Sequence, residues 1–95
     1  MTASQFRRLA LGLPDAIEHA RFHHPDFRVR NKIFATLGYP DARWGMVKLT
    51  PEQQARLLRE APESFRPAAG AWGRKGCTLV LLSAVDVTGM RPIVR

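Results

Sequence analysis

The feature that most constrains the fold of this sequence is a series of short alternating segments between residues 17 and 50. Apolar and polar residues alternate there with a period of two, which is typical of strands with one buried face. The predicted strands are residues 17–22, 27–30, 32–37 and 44–49. Because the connections between them are short, the pattern predicts an antiparallel meander.

The types of the intervening residues predict the turns of this meander. Residues 23–26 (His-His-Pro-Asp) form one turn-like cluster, and residues 38–41 (Gly-Tyr-Pro-Asp) form another. Asn31 can adopt a positive φ, so Arg30 and Asn31 are expected to make the tight turn of a β-hairpin.

Two segments carry apolar residues at helical spacing. The first covers about residues 4–13, with Ser4 as its expected cap and Pro14 ending it. The second begins at the clearest local signal in the chain, where Thr50 is the cap, Pro51 the first helical residue and Gln53 completes a capping box. Its apolar side is assigned to Ala55, Leu57, Leu58 and Ala61.

The remaining segments complete the predicted order of elements. Residues 63–76 contain a proline and three glycines and are predicted to be irregular, whereas residues 77–82 are apolar almost throughout and predict a strand covered on both faces. After Asp86, Gly89 and Pro92 lie too close together for a stable helix. We therefore predict a single domain over residues 1–95, an α+β two-layer sandwich with helices on one face of an antiparallel sheet.

Charge is the compositional anomaly. Twelve arginines and three lysines face eight acidic residues, which gives a net charge of +7. The planar guanidinium group binds phosphate bidentately and stacks on bases, so the balance favours a nucleic-acid partner. The alternative is a basic surface that only aids solubility.

Cysteine content and hydropathy indicate where the protein acts. A single cysteine, Cys77, excludes an intrachain disulfide and fits a reducing compartment, so we expect a cytoplasmic protein. No apolar run approaches the roughly 20 residues of a membrane span, and no membrane partner is expected.

Several motifs, in their order and spacing, resemble the MmcQ/YjbR family. They are residues 13–18 (LPDAIE), 24–29 (HPDFRV), 32–37 (KIFATL), 44–53 (WGMVKLTPEQ) and 72–76 (WGRKG), together with Pro62 and Phe65. The resemblance covers about residues 9–86. It implies a CyaY-like α+β fold, described as a double-wing DNA-binding motif, and DNA as a partner.

The sequence departs from the family pattern in two places. Relatives usually carry glycine at the hairpin tip where this chain has Arg30 and Asn31, and the family domain closes with a C-terminal helix that this chain is expected to lack. Such a helix would bury about four apolar side chains, each contributing about 1.5–3 kcal/mol. We therefore expect a homodimer to cover the strip around Leu79 and Leu81.

Six cations and one tryptophan are the candidate nucleic-acid-binding residues. Arg28, Arg30 and Lys32 share one parity and would project from one side of a hairpin, where they would neutralise phosphates. Trp72 would stack on a base beside them. The remaining candidates are Lys48, Arg74 and Lys75. The alternatives are a solvated sheet face for the cations and a core or edge position for the tryptophan.

No motif for catalysis, a metal or a cofactor is found in the sequence. There is no phosphate-binding glycine loop and no serine-centred triad, and His19, His23 and His24 lack the glutamate of the zinc-protease pattern. Cys77 is expected to pack as a small apolar residue. The sequence therefore predicts a non-catalytic DNA-binding protein, with a protein-interaction or small-ligand adaptor as the alternative.

Overall fold

The computed structural model describes residues 1–21, 24–38 and 41–94. A 3₁₀ turn at Leu82–Ala84 precedes the last helix. In chain order the other elements are α1 (Ala3–Leu11), β1 (Ile17–Arg21), β2 (His24–Val29), β3 (Lys32–Leu37), β4 (Trp44–Lys48), α2 (Pro51–Glu60), β5 (Phe65–Pro67), α3 (Gly70–Arg74), β6 (Cys77–Leu81) and α4 (Val87–Val94).

The strands form one six-stranded antiparallel sheet in the order β1-β2-β3-β4-β6-β5. The first four strands are the predicted meander, and β6 then pairs with β4, with β5 outside it. The edge strand β5 is short and ends at Pro67, which has no N–H to offer a further strand. The α+β architecture predicted from the sequence is confirmed.

The hairpin between β2 and β3 turns at Arg30 and Asn31, as predicted. Both have positive φ values, 53° and 66°, and Val29 pairs with Lys32 across the turn. The pairing also contains a β-bulge, because Phe27 opposes Ala35 while Arg28 opposes Ile33. Phe34 is therefore an extra residue without a counterpart in β2.

Helices α1 and α4 cover the first face of the sheet and bury the core. Phe6 of α1 and Met90 of α4 are fully buried against this face. The rings of Phe6 and Phe27 lie 6.2 Å apart between centroids. Phe6 also packs directly on Gly45 of β4, where a Cβ would come within 2.9 Å of the ring. The core strand residues on this face include Ala35, Leu37, Val47 and Val80.

The cap of the first helix lies two residues earlier than predicted. Thr2, not Ser4, is its cap: the Thr2 hydroxyl accepts from the Gln5 N–H, and the Gln5 side chain accepts from the Thr2 N–H. A reciprocal capping box satisfies two otherwise unpaired donors, which is why it outcompetes a single serine.

The second helix begins as predicted, but its buried side differs. Thr50 and Gln53 form the expected capping box. The prediction that Ala55 lies on the buried side is wrong, because Ala55 is exposed and its neighbour Gln54 is buried instead. The Gln54 side chain satisfies its amide with backbone carbonyls, so an amide takes a position that hydropathy alone would assign to an apolar residue.

The expectation that the C-terminal helix is lacking is also wrong. The Asp86 carboxylate accepts from the Gly89 N–H at 2.7 Å and so caps the start of α4. Pro92 removes one hydrogen bond near the end of this helix, while burial of Met90 offsets that loss. Helix α4 therefore covers the first face of the sheet, and no strip is left there for a second copy to cover. Leu79, which we expected in that strip, pairs with Met46 on the opposite face. Dimerisation stays a prediction without that premise.

Two further segments differ from their predictions. His24, Pro25 and Asp26 belong to β2 and not to a turn. Residues 63–76 are not irregular throughout, because they contain β5 and the short helix α3. The predicted strand end at Phe22 and the turn residues His23, Tyr39 and Pro40 lie outside the described residues.

Candidate functional site

The second face of the sheet, opposite α1 and α4, carries the candidate site. Successive strand pairings place one row of side chains across all six strands on this face, since directly opposed residues point to the same side. The row consists of His19, Asp26, Thr36, Met46, Leu79 and Arg66. Its centre is apolar and its ends are polar.

Two neighbouring cavities on this face have Trp72 in their linings, and we call them together the Trp72 groove. Trp72, Ile33 and Met46 line both of its halves. The basic compartment has a volume of about 660 Å³, and its other principal lining residues are Arg28, Lys32, Lys48, Lys75 and Cys77. The apolar compartment has a volume of about 360 Å³, and its other lining residues are His24, Pro25, Asp26, Thr36, Ala68, Ala69 and Leu79.

The three lysines of the chain come together in the basic compartment from separate segments. Lys48 ends β4 directly opposite Cys77 of β6, Lys75 follows α3, and Lys32 begins β3. All three are exposed, and within residues 1–21, 24–38 and 41–94 none of them forms an ion pair. Their ammonium groups are therefore available to an anionic ligand.

Arg28 also lines the basic compartment, but its charge is compensated. Its Nε and Nη2 atoms donate to the two carboxylate oxygens of Asp26, at 2.8 and 3.2 Å. This hydrogen-bonded pairing raises the pKa of Arg28 and occupies one edge of the guanidinium group. Arg28 thus contributes shape and hydrogen-bond donors more than net charge.

Two predicted site residues lie away from the groove. Arg30 is in the hairpin turn and Arg74 is at the end of α3, and both are exposed without lining either compartment. The predicted common parity of Arg28, Arg30 and Lys32 is wrong, because the two-residue turn pairs Lys32 with Val29 and not with Arg28. Lys32 reaches the groove from the end of its strand.

Trp72 is displayed on a firmly anchored support. Trp72 is 61% exposed, while its neighbour Gly73 packs so closely that a Cβ there would lie 1.9 Å from the Ala68 carbonyl oxygen. The buried Gln54 amide donates to the carbonyl oxygens of Gly73 and Cys77, which ties α3 to α2 and β6. By contrast Trp44 is buried, with the Arg66 guanidinium 5.1 Å from its ring centroid.

Cys77 forms part of the groove floor and is buried, as predicted. Burial raises the pKa of its thiol, while the positive charges of Lys48 and Lys75 act in the opposite direction. The net rise shows that desolvation outweighs the two cations. The thiol is therefore held in its neutral form.

The described residues provide no cluster of metal ligands. Across residues 1–21, 24–38 and 41–94, no three His, Cys, Asp or Glu side chains are placed to hold a metal ion. His23, one member of the histidine cluster considered from the sequence, lies outside that part of the chain. None of the helices described is long and apolar enough to cross a membrane.

Sequence reasoning missed the apolar compartment entirely. Thr36, Met46 and Leu79 occupy single positions in three strands, and only the strand order β3-β4-β6 places them side by side. The one sequence signal lies in β4, where alternation places Met46 on the same side as the charged Lys48. No local pattern indicated that α3 would lie beside them.

The chain matches known proteins at the level of family and fold. The model of the YjbR family matches residues 11–95. The crystal structure of the Deinococcus radiodurans protein DR2400, which has a DUF419 domain, is similar with a TM-score of 0.82 and 20% identity, over 99% of this chain and 73% of that one. No curated protein matches. Since the family model spans most of the chain, this protein belongs to the YjbR family.

Proposed function

We propose that this protein binds nucleic acid without catalysing a reaction and holds phosphates in the basic compartment. The observation that carries the proposal is the convergence of Lys32, Lys48 and Lys75 on one groove without ion-pair partners in the described chain. Ammonium groups that are not already neutralised attract phosphate, and binding releases the counterions of the nucleic acid.

The surroundings of the lysines support the same proposal. The net charge of +7 attracts polyanions over a longer range than any single contact. Asn31 and the Nη groups of Arg28 add hydrogen-bond donors at the rim of the compartment. Phosphate contacts of this kind give an affinity that does not depend on the identity of the bases. We therefore propose binding that is largely independent of the nucleic-acid sequence.

A small-ligand adaptor is the second candidate, and the apolar compartment favours it. A concave site of about 360 Å³ with mostly apolar walls is within the size range of small-molecule sites. Such a ligand would bind mainly through Thr36, Met46 and Leu79. Its affinity would depend little on salt, whereas nucleic-acid binding depends on it steeply.

The test is a salt titration of binding to labelled random-sequence duplex DNA, followed by fluorescence anisotropy. The triple variant Lys32→Gln, Lys48→Gln, Lys75→Gln is compared with the triple variant Arg8→Gln, Arg59→Gln, Arg91→Gln. The second triple removes the same charge from exposed positions outside the groove. We expect log affinity to fall linearly with log salt, and the lysine triple to reduce that slope by about 2–3.

Two results would reject the proposal. One is the absence of measurable binding by the native protein at low salt. The other is an equal loss of affinity in both triple variants, because this would show that only total charge matters and not the groove. Thermal unfolding of each variant establishes that the comparison is made between folded proteins.

A further inference from the structure

The Trp72 groove combines two different chemical environments, because its two compartments share Trp72, Ile33 and Met46 in their linings. Lys48 and Lys75 lie in one half and Thr36 and Leu79 in the other, with Trp72 bordering both. A polyanion alone would use only the basic half. A ligand that uses both halves must carry an apolar, flat group next to a negative charge.

Trp72 is placed to stack on such a flat group. A large aromatic side chain that is mostly exposed is uncommon on a protein surface, and this one also lines an apolar hollow. Its support cannot give way easily, because Gly73 packs on the Ala68 carbonyl and Gln54 holds the Gly73 carbonyl. A rigid platform loses little conformational entropy when a ligand stacks on it.

The polar groups of the apolar compartment match the edge of a base. The Thr36 hydroxyl is both a donor and an acceptor, and in the described part of the chain no hydrogen bond is formed by it. Asp26 also lines this compartment, but both of its carboxylate oxygens already accept from Arg28. Groups of this kind bond the amino and carbonyl groups that a base exposes once it is unpaired.

Resting on the proposed nucleic-acid function, we infer that the apolar compartment takes one unstacked base of a single-stranded nucleic acid while Lys48 and Lys75 hold the phosphate beside it. A base within a duplex is stacked on both faces and its pairing edge is occupied, so it does not enter this compartment. A single strand exposes its bases without that cost. The protein therefore prefers single strands to duplexes.

The test compares one thymidine oligomer of roughly 16 nucleotides, free and annealed to its complement, at equal salt. We expect the free strand to bind about 5- to 150-fold more tightly, which corresponds to stacking of one base on an aromatic residue. Binding of the strand should quench the emission of exposed Trp72 and leave that of buried Trp44. Trp72→Ala should abolish the preference, and Trp72→Phe should keep part of it.

A second variant tests the compartment without altering the tryptophan. Ala69 lines it and is exposed, so Ala69→Phe should fill it without disturbing the core, while Ala55→Phe on exposed α2 is the matched control. We expect Ala69→Phe alone to weaken binding of the single strand and to leave duplex binding unchanged. Thymidine monophosphate should bind weakly but with the same quenching.

The outcomes separate this inference from the proposed function. Equal affinity for strand and duplex, with binding intact and Trp72 emission unchanged, would overturn the inference and leave nucleic-acid binding standing. Tight binding of the mononucleotide together with no preference for the strand would also overturn it, in favour of a nucleotide site. Failure of both nucleic acids to bind would remove the proposed function as well.

Discussion

The Nε2 atom of Gln54 lies 3.0 Å from the carbonyl oxygen of Gly73, and this buried hydrogen bond joins α2 to α3. The same atom donates to the Cys77 carbonyl oxygen at 3.0 Å, so one side chain connects three elements. Because the tryptophan of the groove belongs to α3, the geometry of the candidate site depends on a residue that does not line it.

We predict that Gln54→Leu lowers the free energy of unfolding by about 1–3 kcal/mol, because two buried carbonyl groups lose their donor. Urea denaturation measures this change. The neighbouring variant Gln53→Leu, which loses only an exposed capping contact, is the control and should lose less. An equal or smaller loss in Gln54→Leu would contradict the assigned role.

Two glycines with positive φ should respond differently to the same substitution. At Gly76 a Cβ would lie 1.9 Å from the Leu49 carbonyl oxygen, whereas at Gly70 no atom lies within 4 Å. We predict that Gly76→Ala prevents stable folding. Gly70→Ala should cost only about 1–2 kcal/mol, the price of a left-handed conformation for alanine. Thermal unfolding followed by circular dichroism compares them, and similar melting temperatures would contradict the prediction.

Acid should weaken the turn before β4. The side chain of Arg43, and then its backbone N–H, donate to the Asp41 carboxylate and hold the pKa of Asp41 at about 2, below its ordinary value of 3.8. Because the folded-state pKa is the lower one, the interaction stabilises the protein above about pH 4 and is lost as pH falls towards 2.

The measurement is the melting temperature of the native protein and of Asp41→Asn between pH 2 and pH 6. We expect the two proteins to differ most at the upper end and to converge as the pH falls through the folded-state pKa. A difference that stays constant over the whole range would show that the carboxylate charge is not the cause.

The thiol of Cys77 should report on the cations of the basic compartment. Burial raises its pKa, and Lys48 and Lys75 partly counteract that rise. We predict that Lys48→Met raises the thiol pKa further, since a lowering influence is removed. The pH dependence of reaction with a small thiol reagent measures it, and Arg59→Met on α2 is the control. A lower pKa in Lys48→Met would contradict the arrangement.

The local elements were largely predictable because their signals are local. The hairpin at Arg30 and Asn31 and the capping box at Thr50 and Gln53 depend on residues adjacent in sequence, and both predictions are confirmed. The last helix was not predicted because Gly89 and Pro92 both disfavour a helix. The cap from Asp86 and the burial of Met90, which offset that effect, depend on tertiary packing.

The candidate site was predictable in its residue types but not in its arrangement. Lys32, Lys48, Trp72 and Lys75 were chosen for their chemistry, and the groove brings these four together with Arg28. Arg30 and Arg74 were chosen for the same chemistry but lie outside it. What separates the two groups is the pairing of β4 with β6 and the position of α3, and neither leaves a pattern in the sequence.

Phe34 has no partner in β2, and this bulge interrupts the alternation of inward and outward side chains along β3. Beyond it, Ile33 aligns with Arg28 and lines the Trp72 groove, whereas strict alternation from Ala35 would turn it to the core. Which side chains of this hairpin face the groove therefore depends on the bulge as well as on the residue types. Without this one residue the pairs on either side of the bulge would follow each other in regular register, so the hairpin tip would keep its faces and lose only the Phe34 side chain that packs against the core.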